Sequence, residues 1–258
     1  MSLVTIISDW NKNDYYLGIL KGDLKTKIPD VEIIDIKHNI DAFNISQAAF
    51  ITNFSYKYFP KNTIHIIAVK SEATPEHKHI IIKNNGHYFI CADNGIPGLI
   101  FKENPELVIE LETLDLQTTF PELAIFTKAA QYISEGRDIK ELGEIKKHIY
   151  RKIDLFPGVG ADYIAGTVIY NDSYGNAITN ISKEIFERYG KGRSFEISFV
   201  STKYIIKNIS NNYSEVDNGE KLAIFNSIGL LELAQNNGNA MNLLGLEKGV
   251  NIKIRFKN

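Results

Sequence analysis

Three clusters of polar and aromatic residues stand out by the side-chain types they bring together. The first is Ser8-Asp9-Trp10-Asn11 with Asp14, two carboxylates set between a β-branched run, Leu3 to Ser8, and the start of a helical pattern. A carboxylate beyond a strand end can accept both hydroxyls of a ribose, and a loop this poor in glycine is unsuited to cradling pyrophosphate. A second reading has Asp9 or Asn13 capping the next helix and Asp14 complementing its dipole. The second cluster, Asn171-Asp172-Ser173-Tyr174-Gly175-Asn176-Ala177-Ile178-Thr179-Asn180, reads by composition as a turn. Tyr174 between Asp172 and Asn176 adds a ring that stacks on a base and an amide that hydrogen-bonds its edge. The third, Asn226-Ser227-Ile228-Gly229-Leu230-Leu231-Glu232, has polar groups suited to a zwitterion. Its plainer reading is a strand, a glycine turn and an ordinary surface acid.

Other chemistries find no support. The chain has no Gly-x-Gly-x-x-Gly, P-loop, Gly-x-Ser-x-Gly or His-Glu-x-x-His pattern. His77 and His79 share a face if they lie on a strand, but no further metal ligands accompany them, so no metal is expected. Cys91 is the single cysteine among 258 residues, which rules out an intrachain disulfide and fits a small buried hydrophobe. A formal charge of -2 supplies no basic field for nucleic acid. The opening MSLVTIISDW has no basic segment and its apolar run stops at Asp9, so neither a secretory signal nor a membrane span is expected, and a cytoplasmic location fits.

The elements that must position these residues read as strand, loop and helix in alternation. Strands are expected at Leu3–Ser8, 31–36 and 64–69, and helices from Asp14 to before Pro29 and over 44–58, the latter capped by Asn44 or Ser46. His79 to Lys83 and His87 to Ile90 form a hairpin closed by Asn84-Asn85-Gly86. A helix over 121–135 ends at Gly136. The stretch 137–160, charged early and Pro/Gly-rich late, reads as a connector. Beyond it come short strands at 163–170, 194–200, 204–209, 221–226, 230–233 and 250–256, with helices near 182–188 and 239–244. The fold class expected is an α/β amino-terminal domain (1–150) with a mainly parallel or mixed sheet, a linker (151–162), and a smaller, mainly-β, barrel-like carboxyl-terminal domain (163–258).

In order and spacing these pieces resemble the S-adenosyl-L-methionine (SAM) hydroxide adenosyltransferases, the adenosine-forming SAM hydrolases, relatives of the fluorinase and chlorinase. The resemblance runs nearly end to end. It covers Ser8-Asp9, Asp14-Tyr15-Tyr16-Leu17-Gly18 with Lys21-Gly22, Asp35-Ile36-Lys37-His38, Ser46-Gln47-Ala48-Ala49-Phe50, and Tyr58-Phe59-Pro60-Lys61-Asn62-Thr63. It continues through Ala92-Asp93-Asn94-Gly95, Asp172-Ser173-Tyr174-Gly175-Asn176 with Thr179-Asn180-Ile181, and Asn226-Ser227-Ile228-Gly229 with Leu231-Glu232-Leu233-Ala234. The resemblance implies a homotrimer that binds a small-molecule nucleoside between the first domain of one subunit and the second domain of its neighbour. It implies no cofactor beyond SAM itself as substrate or ligand. Asp9 then matches the carboxylate on the ribose diol, Asp14 a residue near the methionine end, and Phe43 an aromatic over the ribose. Tyr174 and Asn176 match the adenine-facing ring and amide. Asp172 and Ser227, with Asn226 beside it, match groups around the methionine amine and carboxylate.

The sequence departs from the family where water is activated. Family hydrolases carry an Asp-Pro-Gly-Val-Gly segment followed by an arginine, and a later Phe-His-Gly-Arg-Asp. Here Lys70 stands at the aspartate position, His77 near the arginine position, and Pro121 in place of the histidine. Neutral methionine leaves a sulfonium without an acid. Water is the difficulty, since its pKa of about 15.7 makes hydroxide scarce without a base or a metal. The available replacements are Glu72, Glu76, His77 and Glu122. Two expectations follow: an enzyme that transfers adenosyl to water, with weakened activity, or a non-catalytic adenosine- or SAM-binding protein that kept the pocket. A third is an assembly protein with no ligand.

Overall fold

The strand Leu3–Ser8 (β1) consists almost wholly of buried apolar and β-branched residues, the composition of a strand covered on both faces. In the computed structural model, which describes residues 2–112, 118–152, 156–200 and 204–257, β1 lies between two parallel neighbours, Glu32–Lys37 (β2) and Ile64–Ala68 (β3). The connections are Tyr15–Lys27 (α1) and Ile45–Ser55 (α2), the latter capped by Asn44, whose side chain accepts from Gln47 N at 3.1 Å. The chain steps from β1 to β2 on one side and then returns to β3 on the other. The carboxyl ends of β1 and β3 therefore form a topological switch point, the place where open α/β sheets leave a crevice for ligands.

His79–Asn84 (β4) and His87–Ala92 (β5) form the expected hairpin. Asn85 and Gly86 both take positive φ, 49° and 73°, as a two-residue type I′ turn requires. Leu107–Leu111 (β6) and Gly143–Ile145 (β7) complete a mixed seven-stranded sheet in the order β2-β1-β3-β5-β4-β6-β7. Part of the charged stretch expected to be a connector thus adds a strand, because the β6 edge offers unpaired backbone groups that β7 satisfies. Leu17, Leu20 and Leu24 of α1 share one apolar layer with Ala129, Ala130 and Ile133 of Thr127–Ser134 (α3). Ile45, Ala48 and Ala49 of α2 pack on the opposite face of the sheet.

The chain divides into two compact units, Met1–Ile153 and Asp154–Asn258. The second is an antiparallel, nearly closed barrel. Its strands run Tyr204–Ile206 (β8), Phe195–Phe199 (β9), Asn251–Phe256 (β10), Tyr163–Asn171 (β11), Ala177–Ser182 (β12), Leu230–Gln235 (β13) and Lys221–Phe225 (β14), numbered here in sheet order. Ser210, just past β8, bridges back to Ile224 of β14 and brings the two edges together. Inward residues such as Ile164, Val168, Ala177, Ile181, Leu231, Leu233, Ile252 and Ile254 fill the interior. The helix Lys183–Gly190 begins at Ser182, whose hydroxyl accepts from Ile185 N at 3.2 Å.

Candidate functional site

Asp9 emerges from β1 at the switch point, and its carboxylate has a definite task there. Oδ2 accepts the backbone N–H of Phe43 at 3.1 Å and that of Lys70 at 3.2 Å, one from the loop after β2 and one from the loop after β3. Both donors sit in left-handed backbone, φ 62° for Phe43 and 47° for Lys70. Non-glycine residues enter that region at a cost, and such conformations persist where the surroundings over-determine them, characteristically at functional sites. Asp9 does not cap α1. The N-cap position is Asp14, whose side chain makes no cap bond and accepts instead from Asn11 N at 2.9 Å.

The Phe43 ring is 69% exposed, an open stacking surface beside Asp9. Below the strand ends Trp10, Tyr16 and Phe120 contact one another edge-on or tilted at 5.4–5.7 Å between centroids. Phe120 leads into a π-helical turn over Glu122–Phe126, a local under-wound geometry frequent at functional sites. That turn carries Glu122 into the interior, where it is 4% exposed. Burial raises its carboxyl above the ordinary range and the negative charge of Asp9 raises it further, against a hydrogen bond with Ser71 that lowers it. Ser71 in turn offers its carbonyl to His79 Nε2 at 2.7 Å. Asp9, Lys70, Ser71 and Glu122 are thus brought together. Glu72 and Glu76 are exposed, and half-buried His77 lies tilted against the Tyr150 ring at 4.4 Å between centroids. Among the described residues no cluster of three or more His, Cys, Asp or Glu is arranged to hold a metal.

In the second unit the loop between β11 and β12 is organised by one carboxylate. Asp172 Oδ1 accepts from Tyr174 N and Asn176 N, both at 2.9 Å, and Oδ2 accepts from Asn176 Nδ2 at 3.0 Å. Gly175 has φ 82°, and a Cβ there would lie 2.3 Å from Asn239, so only glycine fits. Tyr174 is thereby presented at 77% exposure, two residues from buried Asn176, whose Nδ2 is held by Asp172. Asn226 also serves its own turn: its oxygen accepts from Ile228 N and Leu230 N, and its nitrogen donates to Glu232 at 3.1 Å. Buried Glu232, opposite Ile178 across β12 and β13, accepts the Tyr213 hydroxyl at 2.6 Å. Burial, that bond and the charges of Glu232 and Asp172 push the phenol of Tyr213 up. Ser227 is exposed at the tip of the turn. The Tyr213–Glu232–Asn226 connection has no sequence signal, whereas the acid at Glu232 stands in the polar cluster already noted.

These two halves, a switch-point carboxylate in an α/β unit and an aromatic-and-amide loop on a barrel, define a class of protein that is recognisable from the whole chain. Residues 4–143 match the SAM hydroxide adenosyltransferase N-terminal domain and residues 166–253 match the C-terminal domain. The chain belongs to the SAM hydroxide adenosyltransferase family. It is 28% identical to the (R)-S-adenosyl-L-methionine hydrolase of Methanocaldococcus jannaschii, over 96% of this chain and 93% of that one. It is 24% identical to the protein of the same name from Thermus thermophilus, over 98% and 100%. The fluorinase of Nocardia brasiliensis is 19% identical over 98% of this chain and 96% of its own. An uncharacterized conserved protein of Thermotoga maritima has the same fold, with a TM-score of 0.87 at 25% identity over 98% and 99% of the two chains.

Proposed function

We propose that this chain binds SAM and transfers its adenosyl group to water, giving adenosine and L-methionine. The observation that carries the reading is Asp9, a carboxylate whose Oδ2 is held at the switch point by two strained amides; in this proposal its other oxygen takes the ribose diol. Phe43 packs over the ribose and Asp14 lies toward the methionine end. Tyr174 stacks on adenine while the Asn176 amide meets its edge, and Asp172, Asn226 and Ser227 shape the region for the methionine amine and carboxylate. In this proposal the protein is a cytoplasmic homotrimer, with Asp9 of one subunit and Tyr174 of its neighbour on one nucleoside, and it needs no cofactor beyond SAM.

The water oxygen attacks the ribose 5′ carbon, the carbon–sulfur bond breaks with its electron pair going to sulfur, and the water proton passes to a base. Glu122 is the candidate favoured over Glu76 and His77. It is buried beside Asp9, and a raised carboxyl pKa brings a base closer to the operating pH, where general-base help is worth roughly 10²–10⁴ in rate. Lys70 and Pro121 favour a second reading, a binding or sensing protein without turnover, because neither side chain accepts a proton from water at neutral pH. Incubating stoichiometric protein with SAM separates the two. Adenosine above the uncatalysed background supports turnover, its absence with adenosine binding by calorimetry supports the second reading, and no binding of either ligand contradicts both.

A further inference from the structure

Next to Asp9 lies a connected set of side chains that the proposed chemistry does not use, buried Ser8 and His38 leading out to the partly exposed Asp35 and Lys21. Ser8 Oγ lies 2.6 Å from His38 Nδ1, and His38 Nε2 lies 3.1 Å from Asp35 Oδ1, off the direction of an ideal hydrogen bond. Asp35 Oδ2 accepts from Lys21 Nζ at 2.6 Å. Serine, histidine and aspartate in that order are the connectivity of a hydrolytic triad. Ser8 is 0% and His38 2% exposed, so no substrate carbon reaches the hydroxyl and a nucleophilic role is ruled out.

We propose that Ser8–His38–Asp35–Lys21 is a positioning device: it locks the loop after β2 onto the end of β1, so that Asp9 meets its ligand already aligned. His38 is the first residue past β2, and from it the chain is fastened to β1 at each step. Asn39 N donates to Trp10 O at 2.9 Å, Ile40 N to Ser8 O at 3.3 Å, and Phe43 N to Asp9 Oδ2. Asn39, like Phe43, is left-handed, with φ 57°, so two strained residues lie within five positions of His38. Lys21 extends the tie to α1, and Asp35 holds the imidazole between the two strands. With His38 neutral, Nδ1 accepts the Ser8 hydroxyl hydrogen and Nε2–H faces the Asp35 carboxylate, which fixes the ring. Burial disfavours the charged imidazole, which keeps this arrangement at neutral pH.

The inference rests on the proposed role of Asp9 for its consequence, but its geometry is testable without ligand. Hydrogen exchange of the Ile40 and Phe43 amides reads the lock directly, and calorimetry with adenosine reads its effect. In His38→Ala, exchange at Ile40 and Phe43 is expected to rise about tenfold or more while the amides of β3 and β5 keep their protection. Adenosine affinity is expected to fall about tenfold to a hundredfold, and His38→Gln, which can accept from Ser8 and face Asp35, to recover part of both. Ser8→Ala supplies the same readout if His38→Ala does not fold. Unchanged Phe43 exchange in a folded variant overturns the proposal. A wild-type protein that binds no adenosine overturns the ligand assignment instead, and leaves the exchange result to decide the lock.

Discussion

Replacing Asp172 with alanine removes three hydrogen bonds at once, and the structure says how much each is worth. Two end on Asn176, which is buried, and one on the backbone of exposed Tyr174. Bonds to a charged acceptor are worth roughly 1.5 kcal/mol where water is excluded and about 0.5 kcal/mol where water replaces the lost partner, so the loss is about 3.5 kcal/mol. For a domain of this size each kcal/mol moves the melting temperature by roughly 4–8 °C, which puts the transition of the second unit about 14 °C lower or more. Because the loop then no longer holds the Asn176 amide in place, adenosine binding is expected to weaken about a hundredfold. Asp172→Asn keeps an oxygen for the two backbone amides but turns an NH2 toward Asn176 Nδ2, so it should fall between the two in both assays. Thermal unfolding followed by calorimetry checks the ordering. Asp172→Ala that melts within about 2 °C of wild type refutes the reasoning, because the carboxylate would then not be what forms the loop.

Asp9→Asn should make the protein indifferent to a missing ribose hydroxyl: 2′-deoxyadenosine binds more weakly than adenosine to wild type, and calorimetry on the variant should show the gap closed. Glu122→Gln should lower adenosine formation from SAM by roughly 10²–10⁴. Because the folded-state carboxyl titrates above its ordinary value of 4.5, the contribution of Glu122 to stability should decline as pH rises from there, so the urea midpoint of wild type relative to Glu122→Gln should fall with rising pH. Acid should destabilise the first unit early. Burial lowers His65 to about 3, and also lowers His38, His79 and His87, from an ordinary 6.5, so the unfolded chain takes up protons that the folded one refuses. The histidines' contribution is complete above pH 6.5 and is lost as pH falls below it; in Glu122→Gln, where the opposing carboxyl is gone, equal urea midpoints at pH 7.5 and 5 would contradict this.

The strands of the first unit were legible because parallel, doubly covered strands leave dense β-branched runs such as Leu3–Ser8 and Ile64–Ala68. The strand Ala177–Ser182 was not, because Ala-Ile-Thr-Asn-Ile-Ser alternates small and polar residues, and its apolar side is completed only by Leu231 and Leu233 opposite. Leu107–Leu111 is an apolar run broken only by Glu110, whose carboxylate pairs with Lys78 and Lys146 at the sheet surface. At the site, the residue types at Asp9, Tyr174 and Asn176 were visible, but their arrangement was not. Asp9 spends one oxygen on amides 34 and 61 residues away, and Asp172 spends both on its own loop. The burial of Glu122 depends on a π-helical turn that no periodicity announces. The Ser8–His38 contact has a signal in hindsight: β1 and β2 pair in parallel with Ile7 beside Lys37, so the next residue on each meets the other at the strand ends.

In the proposed site the Asp9 carboxylate of one subunit and the Tyr174–Asn176 loop of its neighbour grip the same nucleoside. A crystal structure of the assembled protein with adenosine and methionine tests this most directly. The expected result is one adenosine per subunit, its ribose hydroxyls within hydrogen-bond distance of Asp9 and its base against Tyr174 and Asn176. Adenosine seated on Tyr174 with no copy of Asp9 in reach of its ribose would contradict it.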